Sequence, residues 1–284
     1  MKKVVAIYHK DCVDGTTSAA VVLKKFPEAK VYPIPRGYTK EDLEPILSTL
    51  TEENEIYTVD GEMGAREILD LGFKVTTIDH HIGERENLDN LAKENSNYTF
   101  IFDNDKSGAS LSWNYFFPGE EMPEMIKYVE DFDLWNWKYR KETENVMGYL
   151  SIFRNNPEKT LELMNNGLEE IMNKGEVIST YTESQIEEQK KTEPVQIKIG
   201  ENTVPAFNAP MSYKSFLGDF FSKKLGKTVL IFKIDGGKVK MSFRGHDEHT
   251  PSALELASLV GGGGHRNSAG GAMPLYNFLE MLVK

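Results

Sequence analysis

The segment from Lys74 to His81 constrains the fold of this chain more than any other. It reads KVTTIDHH: five mostly β-branched residues run into an acid and two adjacent imidazoles. Such a run predicts a buried strand that ends in a polar site. Ligands of open α/β sheets bind at the carboxyl ends of the strands. One histidine could hold a metal ion while the other faces substrate; a surface histidine pair at a strand end is the alternative.

The first thirty residues predict the opening unit of a parallel sheet. A short apolar strand, KVVAIY, leads into a polar loop and then a helical pattern, TTSAAVVLKKF. The loop holds three hard metal ligands, His9, Asp11 and Asp14, and Gly15 permits a sharp entry into the helix. In the alternative reading, Asp14 simply caps that helix. Cys12 is interpreted as a small packed residue.

Acidic residues recur where predicted strands end. Asp60, Asp79 and Asp103 each finish an apolar run, and their mutual repulsion would be costly without a cation. Ser107 is a good N-cap for the helix that follows, so Asp103 and Asp105 are interpreted as structural.

Two further acids lie in an aromatic segment. A helix predicted to begin at Pro123 ends near Asp131 and Asp133, which are surrounded by Phe, Leu and Trp residues. An unpaired carboxylate is unfavourable there, so a bound cation would account for one of them. Two exposed acids beside a packed tryptophan pair remain the alternative.

The remainder predicts a second, smaller α+β domain. A charged helical stretch from Glu142 to about Lys191 ends before Pro194, which indicates a domain boundary near residue 195. In the second domain, four glycines at positions 261–264 precede His265, and Arg244 ends a predicted strand. Exposed glycine amides can wrap an anion, so a phosphate or carboxylate site is expected; a merely flexible loop is the alternative.

Composition limits the functional classes. No run of about 18 apolar residues occurs, and no signal-peptide pattern is present, which predicts a soluble cytoplasmic protein without a membrane partner. The single cysteine excludes an intrachain disulfide framework and a cysteine-based zinc site, leaving oxygen and imidazole ligands for a hard divalent ion. The net charge of −11 argues against binding along long duplex nucleic acid. Residues 196–284 carry 11 Lys and Arg against 7 Asp and Glu, a net +4, which leaves −15 on the rest.

In this order, the motifs resemble those of the DHH/DHHA1 phosphoesterase superfamily, which includes RecJ-type exonucleases, nanoRNA and pAp phosphatases, and cyclic-dinucleotide phosphodiesterases. The resemblance covers nearly the whole chain. It is carried by HKDCVDG at residues 9–15, Asp60, the Asp79-His80-His81 triplet, Asp131, and the GGGH sequence at residues 262–265. It implies an α/β fold: a parallel-sheet DHH domain at 1–180, a helical linker at 181–195 and a smaller α+β DHHA1-like domain at 196–284, which closes over substrate.

The resemblance also implies the roles of individual residues. Two ions, usually Mn2+ with Mg2+ or Co2+ as substitutes, would be held at the sheet edge. The implied metal ligands are His9 and Asp11 for one ion, Asp14, His80 and Asp131 for the other, and Asp60 between them. His81 would face the substrate, and Asp79 would accept a hydrogen bond that orients an imidazole. The implied substrate contacts are Arg244, Gly262, Gly263, Gly264 and His265.

One departure from the family pattern bears on these assignments. Much of the superfamily has the two acids of the first motif one residue apart, whereas Cys12 and Val13 separate Asp11 from Asp14. The sequence also leaves Asp133 open as the fourth-motif acid in place of Asp131.

The sequence therefore predicts a metal-dependent phosphoesterase that hydrolyses short oligonucleotides or small nucleotide phosphates. An exopolyphosphatase or small-metabolite phosphatase is the alternative within enzymes, and it would not need base-stacking side chains such as Tyr213, Phe216 or Phe243. A non-catalytic nucleotide-binding regulator is the alternative from another class. The oligomeric state is left open.

Overall fold

Strands and helices alternate along the first part of the chain, as the alternation of apolar runs and amphipathic segments predicts. The computed structural model describes residues Lys3–Val283, and the chain divides into a unit ending at Thr180 and a unit beginning at Tyr181. The strands of the first unit are β1 (Lys3–His9), β2 (Lys30–Ile34), β3 (Asn54–Val59), β4 (Val75–Asp79) and β5 (Tyr98–Phe102). The α-helices that begin in it are α1 (Val13–Lys25), α2 (Lys40–Leu47), α3 (Ala65–Asp70), α4 (Arg85–Glu94), α5 (Gly108–Phe116), α6 (Glu124–Asp133), α7 (Lys141–Leu150), α8 (Pro157–Asn166) and α9 (Glu169–Gln189).

These five strands form one parallel sheet in the order β2-β1-β3-β4-β5. Side chains alternate across each strand, so β1 contributes Val4, Ala6 and Tyr8 to one apolar cluster and Val5 and Ile7 to another. Helices α1 and α5 supply residues to the first cluster, and α2, α3 and α4 supply the second. The sheet is therefore covered on both faces, as the predicted α/β class requires.

The strand order of this sheet reverses between β1 and β3. From β1 the chain passes to β2, which lies on one side of β1, and the later strands β3, β4 and β5 are added on the other side. Connections on opposite sides leave a crevice beyond the carboxyl ends at such a switch point, where ligands of these sheets bind. His9 is the last residue of β1, and Asp60 directly follows β3.

The second unit contains a mixed sheet. Its strands are β6 (Val195–Ile199), β7 (Asn202–Asn208), β8 (Val229–Asp235), β9 (Lys238–Arg244), β10 (Gly263–His265) and β11 (Ser268–Pro274), and its further helices are α10 (Lys214–Leu225), α11 (Ala253–Leu259) and α12 (Leu275–Glu280). The strand order is β10-β11-β9-β8-β7-β6, with β7 and β8 parallel and the other pairs antiparallel. The predicted α+β character of this domain is confirmed.

The glycine-rich segment is not the flexible loop that the sequence left open as an alternative, because it forms the hairpin of β10 and β11. A Cβ at Gly262 would lie 2.3 Å from the carbonyl oxygen of Gly270, and one at Gly264 would lie 2.6 Å from that of Ser268. The glycines therefore permit a close approach of two backbones, which a composition argument for disorder does not consider.

Two observations concern the rest of the predicted organisation. The division at Thr180 falls inside α9, and the proposed linker at 181–195 contains the end of α9 and the approach to β6; its role as a linker stays a prediction.

Among residues 3–283, no helix combines the length and apolar character needed to cross a membrane.

Candidate metal centre

Four elements of the first unit bring ionisable side chains to the switch point of the parallel sheet. His9 ends β1, Asp60 follows β3, His80 follows β4, and Asp14 lies in the first turn of α1. Parallel strands end at the same edge, so residues distant in sequence meet here. Three overlapping groups have ligand atoms within 4.8 Å of one another: His9, Cys12 and Asp60; Asp60, His80 and His81; and Asp14, His80 and Asp133.

Asp60, like His80, belongs to two of these groups. Its side chain is 1% exposed, with Oδ2 3.4 Å from Nδ1 of His9 and Oδ1 3.3 Å from Nε2 of His80. Burial opposes ionisation, but His80, His9 and His81 together lower the pKa of Asp60 well below its usual value. Asp60 has the left-handed φ of 59° and is followed by Gly61 at φ 144°, a backbone conformation that concentrates at functional sites.

Asp14 is fixed by the start of a neighbouring helix. The backbone amides of Gly108 and Ala109, at the beginning of α5, donate to its Oδ2 and Oδ1 at 2.6 and 2.9 Å. These amides carry the positive end of the helix dipole, which favours a carboxylate. Burial and the nearby Asp60 and Asp133 nevertheless raise the pKa of Asp14 well above its usual value. The side chain therefore caps a helix, but α5 and not the α1 helix suggested by the sequence.

His80 lies among three carboxylates. Its Nε2 is 3.3 Å from Asp60 Oδ1, 3.3 Å from Asp133 Oδ2 and 3.8 Å from Asp14 Oδ2. Burial alone would lower the pKa of His80, but the contact with Asp60 and the charges of Asp133 and Asp14 raise it to about 10. Three carboxylates crowded around one imidazole repel one another, and a bound cation would relieve that repulsion.

His81 is oriented by Asp79. Oδ1 of Asp79 accepts hydrogen bonds from the backbone amides of His80 and His81, at 2.8 and 3.3 Å, and lies 2.6 Å from Nδ1 of His81. The chain turns directly after β4, so both imidazoles lie on the side of Asp60, with ring centroids 4.0 Å apart. The contact between Asp79 and His81 fits the orienting role that the resemblance implies for Asp79, which stays a prediction.

The structure separates the two acids at the end of α6. Asp133, the last residue of the helix, contacts His80, whereas the carboxylate of Asp131 accepts hydrogen bonds from the amides of Lys138 and Tyr139, at 2.7 and 3.2 Å, and from the hydroxyl of Thr143. Asp131 therefore pins the loop between α6 and α7. The metal-ligand role expected for Asp131 does not fit these contacts, and Asp133 is the acid at the site. Two positions on a helix differ by about 200° in direction, so only one of the acids can face the sheet edge.

The first motif also differs from expectation. Asp11, with φ 60°, is exposed, and it exchanges hydrogen bonds with Asn155: its amide donates at 2.8 Å and its carboxylate accepts at 2.6 Å. It belongs to none of the three groups found among the described residues. Cys12 lies closer to the centre, with its thiol beside His9 and Asp60. Burial and the nearby Asp60, Asp133 and Asp14 raise the pKa of this thiol.

The donor atoms present fit a divalent metal ion. Within residues 3–283, both carboxylate oxygens of Asp60, Nδ1 of His9 and Nε2 of His80 are buried without a hydrogen-bond partner. Buried polar atoms are rarely left in this state, and a cation is a common reason. Carboxylate and imidazole ligands suit Mn2+, Mg2+, Co2+ and Zn2+. The residues that could hold metal are His9, Cys12, Asp14, Asp60, His80, His81 and Asp133.

Arg244 is the main candidate for an anion contact in the second unit. Its guanidinium donates to the carbonyl oxygen of Phe243 at 3.2 Å, to the hydroxyl of Ser215 at 3.3 Å and to the hydroxyl of Ser268. None of the ion pairs found within residues 3–283 involves it, and burial lowers its pKa to about 10. Gly218 makes room for its stem, because a Cβ there would lie 2.3 Å from Arg244 Cγ.

The glycine hairpin lies beside Arg244. Ser268 of β11 pairs with Arg244 on one side and with His265 of β10 on the other. Residues opposite each other in neighbouring strands place their side chains on the same face. Gly263 and Gly264 are in the same short strand as His265, and Gly262 immediately precedes it. Of the proposed stacking residues, Phe243 is fully buried in the core and cannot contact a base.

Comparison with known proteins gives one relative by sequence. No family model matches the chain. A protein of Acanthamoeba polyphaga mimivirus, named only as uncharacterized protein R106, is 26% identical over 154 residues, which are 49% of this chain and 35% of that protein. The match thus spans about a third of the relative's length, and it carries no functional information.

Solved structures give a clearer result for the fold. An exonuclease RecJ bound to manganese has a TM-score of 0.58 at 14% identity, covering 99% of this chain and 88% of that one. RecJ of Thermus thermophilus in complex with Mn2+ has a TM-score of 0.57 at 15% identity, covering 99% of this chain and 51% of that one. PggH, a pGpG-specific phosphodiesterase of Vibrio cholerae, has a TM-score of 0.53 at 13% identity, covering 97% and 95%. These likenesses show a common fold across both units.

Proposed function

We propose that this chain, which has the fold of the DHH/DHHA1 superfamily as its sequence motifs indicate, is a metal-dependent phosphoesterase. The observation that carries the proposal is the convergence of three carboxylates, those of Asp14, Asp60 and Asp133, on Nε2 of His80, with both Asp60 oxygens buried and lacking a hydrogen bond. A solvated acidic surface would not bury these groups. The metal-bound state of the RecJ structures with this fold supports the same conclusion.

Two divalent ions, with Mn2+ as the favoured species, are proposed for this centre. Asp60 would be shared between them, His9 would hold one, and Asp14, His80 and Asp133 would hold the other. Ions bound here would supply Lewis acidity, which activates water and stabilises the attacking and leaving oxygens of a phosphoryl displacement. The shared position of Asp60 in two ligand groups supports this division.

His81 is proposed to act on the substrate and Asp79 to hold it in place. The hydrogen bond between His81 Nδ1 and Asp79 Oδ1 fixes the ring orientation, so Nε2 is the atom through which a proton would be exchanged with the substrate. Asp79 is fully buried and its Oδ1 is also bound by two amides. It therefore acts through His81 and not on the substrate directly.

Short oligonucleotides and small nucleotide phosphates are the proposed substrates. Arg244, His265 and the amides of Gly262, Gly263 and Gly264 would bind a phosphate, because a guanidinium and clustered amides are strong phosphate donors. The specificity of PggH for pGpG supports a short substrate for this fold. The net charge of −15 outside residues 196–284 disfavours a long polyanion. A cytoplasmic location also remains a proposal from the sequence.

A substrate panel tests this proposal. Purified protein with Mn2+ would be incubated with RNA and DNA oligomers, pAp, cyclic dinucleotides, pGpG and inorganic polyphosphate, before and after chelation. We expect hydrolysis of short nucleotides that chelation abolishes and Mn2+ restores best. The test variant is Asp60→Asn, which removes a buried charge at the centre, and its matched control is Asp89→Asn, which removes a half-exposed carboxylate on α4.

The panel separates the alternatives. Hydrolysis of polyphosphate alone would favour the small-phosphate hydrolase. Nucleotide binding without turnover under any metal would identify a regulator and overturn the proposed activity.

A further inference from the structure

The chain's single cysteine lies at the metal centre. Cys12 is the N-cap residue of α1, with extended backbone angles of φ −115° and ψ 136°. The left-handed turn at Asp11 precedes it, and Asn155 holds that turn in place. Three ligand atoms lie within 4.8 Å of one another here: the thiol sulfur of Cys12, one atom of His9 and one atom of Asp60.

The two neighbours of the thiol provide an independent indication of a ligand. Asp60 is 1% exposed, and within the described part of the chain neither of its carboxylate oxygens has a hydrogen-bond partner. Nδ1 of His9 is likewise buried without a hydrogen-bond partner in that part of the chain. A nitrogen, an oxygen and a sulfur atom thus lie within reach of one ion, and the nitrogen and oxygen have no hydrogen bond that would compete with it.

We infer that Cys12 is a thiolate ligand of a divalent metal ion that His9 and Asp60 also hold. On binding, the S–H bond breaks, a sulfur–metal bond forms, and the proton passes to solvent. The inference rests on the metal centre of the proposed function, but it does not depend on turnover.

A sulfur ligand makes the two metal positions chemically different. Asp14, His80 and Asp133 offer oxygen and nitrogen, which accept Mn2+ well. Thiolate favours softer ions, so the position that contains Cys12 should prefer Zn2+ or Co2+ over Mn2+. Titration with a single metal should therefore show two unequal affinities, with the sulfur-containing position filled first by Co2+.

Cobalt spectroscopy tests this inference directly. Reduced, metal-free protein would be titrated with Co2+, and the near-ultraviolet charge-transfer band that arises from thiolate bound to cobalt would be recorded. No other cysteine exists in the chain, so such a band can arise only from Cys12. We expect the band in the wild-type protein, its loss in Cys12→Ser, and a Co2+ affinity in that variant lower by at least about tenfold, since even outer partners of ligands contribute that much. Asp133→Asn is the matched control: it removes a ligand of the other position and should keep the band.

Alkylation of the unmodified protein gives a second readout that needs no variant to fold. Bound Co2+ should slow the reaction of Cys12 with iodoacetamide, and chelation should restore its rate. Cobalt bound without the band and without protection from alkylation would overturn the inference and leave the proposed phosphoesterase intact. Failure of Co2+, Zn2+ and Mn2+ to bind the folded protein would overturn both.

Discussion

Nε2 of His80 and Oδ2 of Asp133 lie 3.3 Å apart, although one residue follows a strand of the sheet and the other ends a helix. This contact brings Asp133, and not Asp131, among the candidate metal ligands. Asp131, two residues earlier, instead accepts hydrogen bonds from two amides of the segment after α6. The two acids thus have separate roles, one electrostatic and one structural.

Exchanging each acid for its amide separates these roles. Asp133→Asn should weaken metal binding at least about tenfold, because a neutral amide replaces an anionic ligand, with little change in the melting temperature of the metal-free protein. Asp131→Asn should instead lower the free energy of unfolding by about 1–3 kcal/mol, because an amide NH2 would face backbone N–H donors. Isothermal titration calorimetry with Mn2+ and denaturant unfolding measure the two effects. Weaker metal binding in Asp131→Asn, with unchanged binding in Asp133→Asn, would instead identify Asp131 as the metal ligand.

Asp60 should be the most sensitive single position. Asp60→Asn keeps the shape of the side chain but removes the charge shared by two ligand groups. We expect kcat with Mn2+ to fall at least about 10³-fold, since an effect on both ions removes several kcal/mol of transition-state stabilisation. Steady-state kinetics and circular dichroism would be measured beside Asp89→Asn. An unchanged kcat on every substrate would exclude a two-ion centre at Asp60.

The glycine that opens α5 gives a steric test of the same centre. A Cβ at Gly108 would lie 2.7 Å from Cβ of Asp60 and 2.9 Å from Oδ2 of Asp14. Gly108→Ala should therefore displace both carboxylates and reduce metal affinity, although alanine is the better helix former. Gly237→Ala is the control, because a Cβ there meets no atom within 4 Å. Equal metal affinities in the two variants would mean that the carboxylates need not occupy these positions.

Substitutions of His81 and of Arg244 should change different kinetic constants, because His81 is proposed to take part in the chemistry and Arg244 in substrate binding. His81→Ala should mainly lower kcat. Arg244→Lys should mainly raise KM, because a lysine keeps the charge but loses the forked donor geometry that phosphate favours. Full saturation curves for both variants on the best short substrate make the comparison. Equal losses of kcat with unchanged KM in both would contradict the division.

Substrate length should limit the rate. We expect kcat/KM to fall beyond about five nucleotides and the affinity to show a shallow salt slope, because few phosphates would be neutralised. Substrates from two to about twenty nucleotides at two salt concentrations would be compared. Processive degradation of the longest substrate with a steep salt slope would instead indicate a long-strand exonuclease.

The sequence predicts the sheet and the polar residues that meet at its edge, because both follow from short-range patterns. The apolar runs before His9, Asp60 and His80 mark strands, and parallel strands bring their ends together. The pattern does not reveal which side of α6 faces the sheet, so Asp133 could not be chosen over Asp131. Nor does it show that the turn at Asp11 directs Cys12 inward, because that turn depends on Asn155, which lies 144 residues away. Composition does not reveal the glycine hairpin either, because the close approach of two backbones leaves no signature in it.

Because Asp133 lies on a helix and not in the sheet, metal binding should affect the resistance of the protein to proteolysis. His9, Asp60 and His80 belong to the sheet edge, whereas Asp133 ends α6, so an ion bound among them would fasten that helix to the sheet. Binding free energy then becomes folding free energy, and it grows with the logarithm of free metal concentration. Metal scarcity would loosen α6 and the loop that Asp131 pins, exposing that region to proteases. The supply of metal would therefore set how long the protein lasts as well as how fast it works.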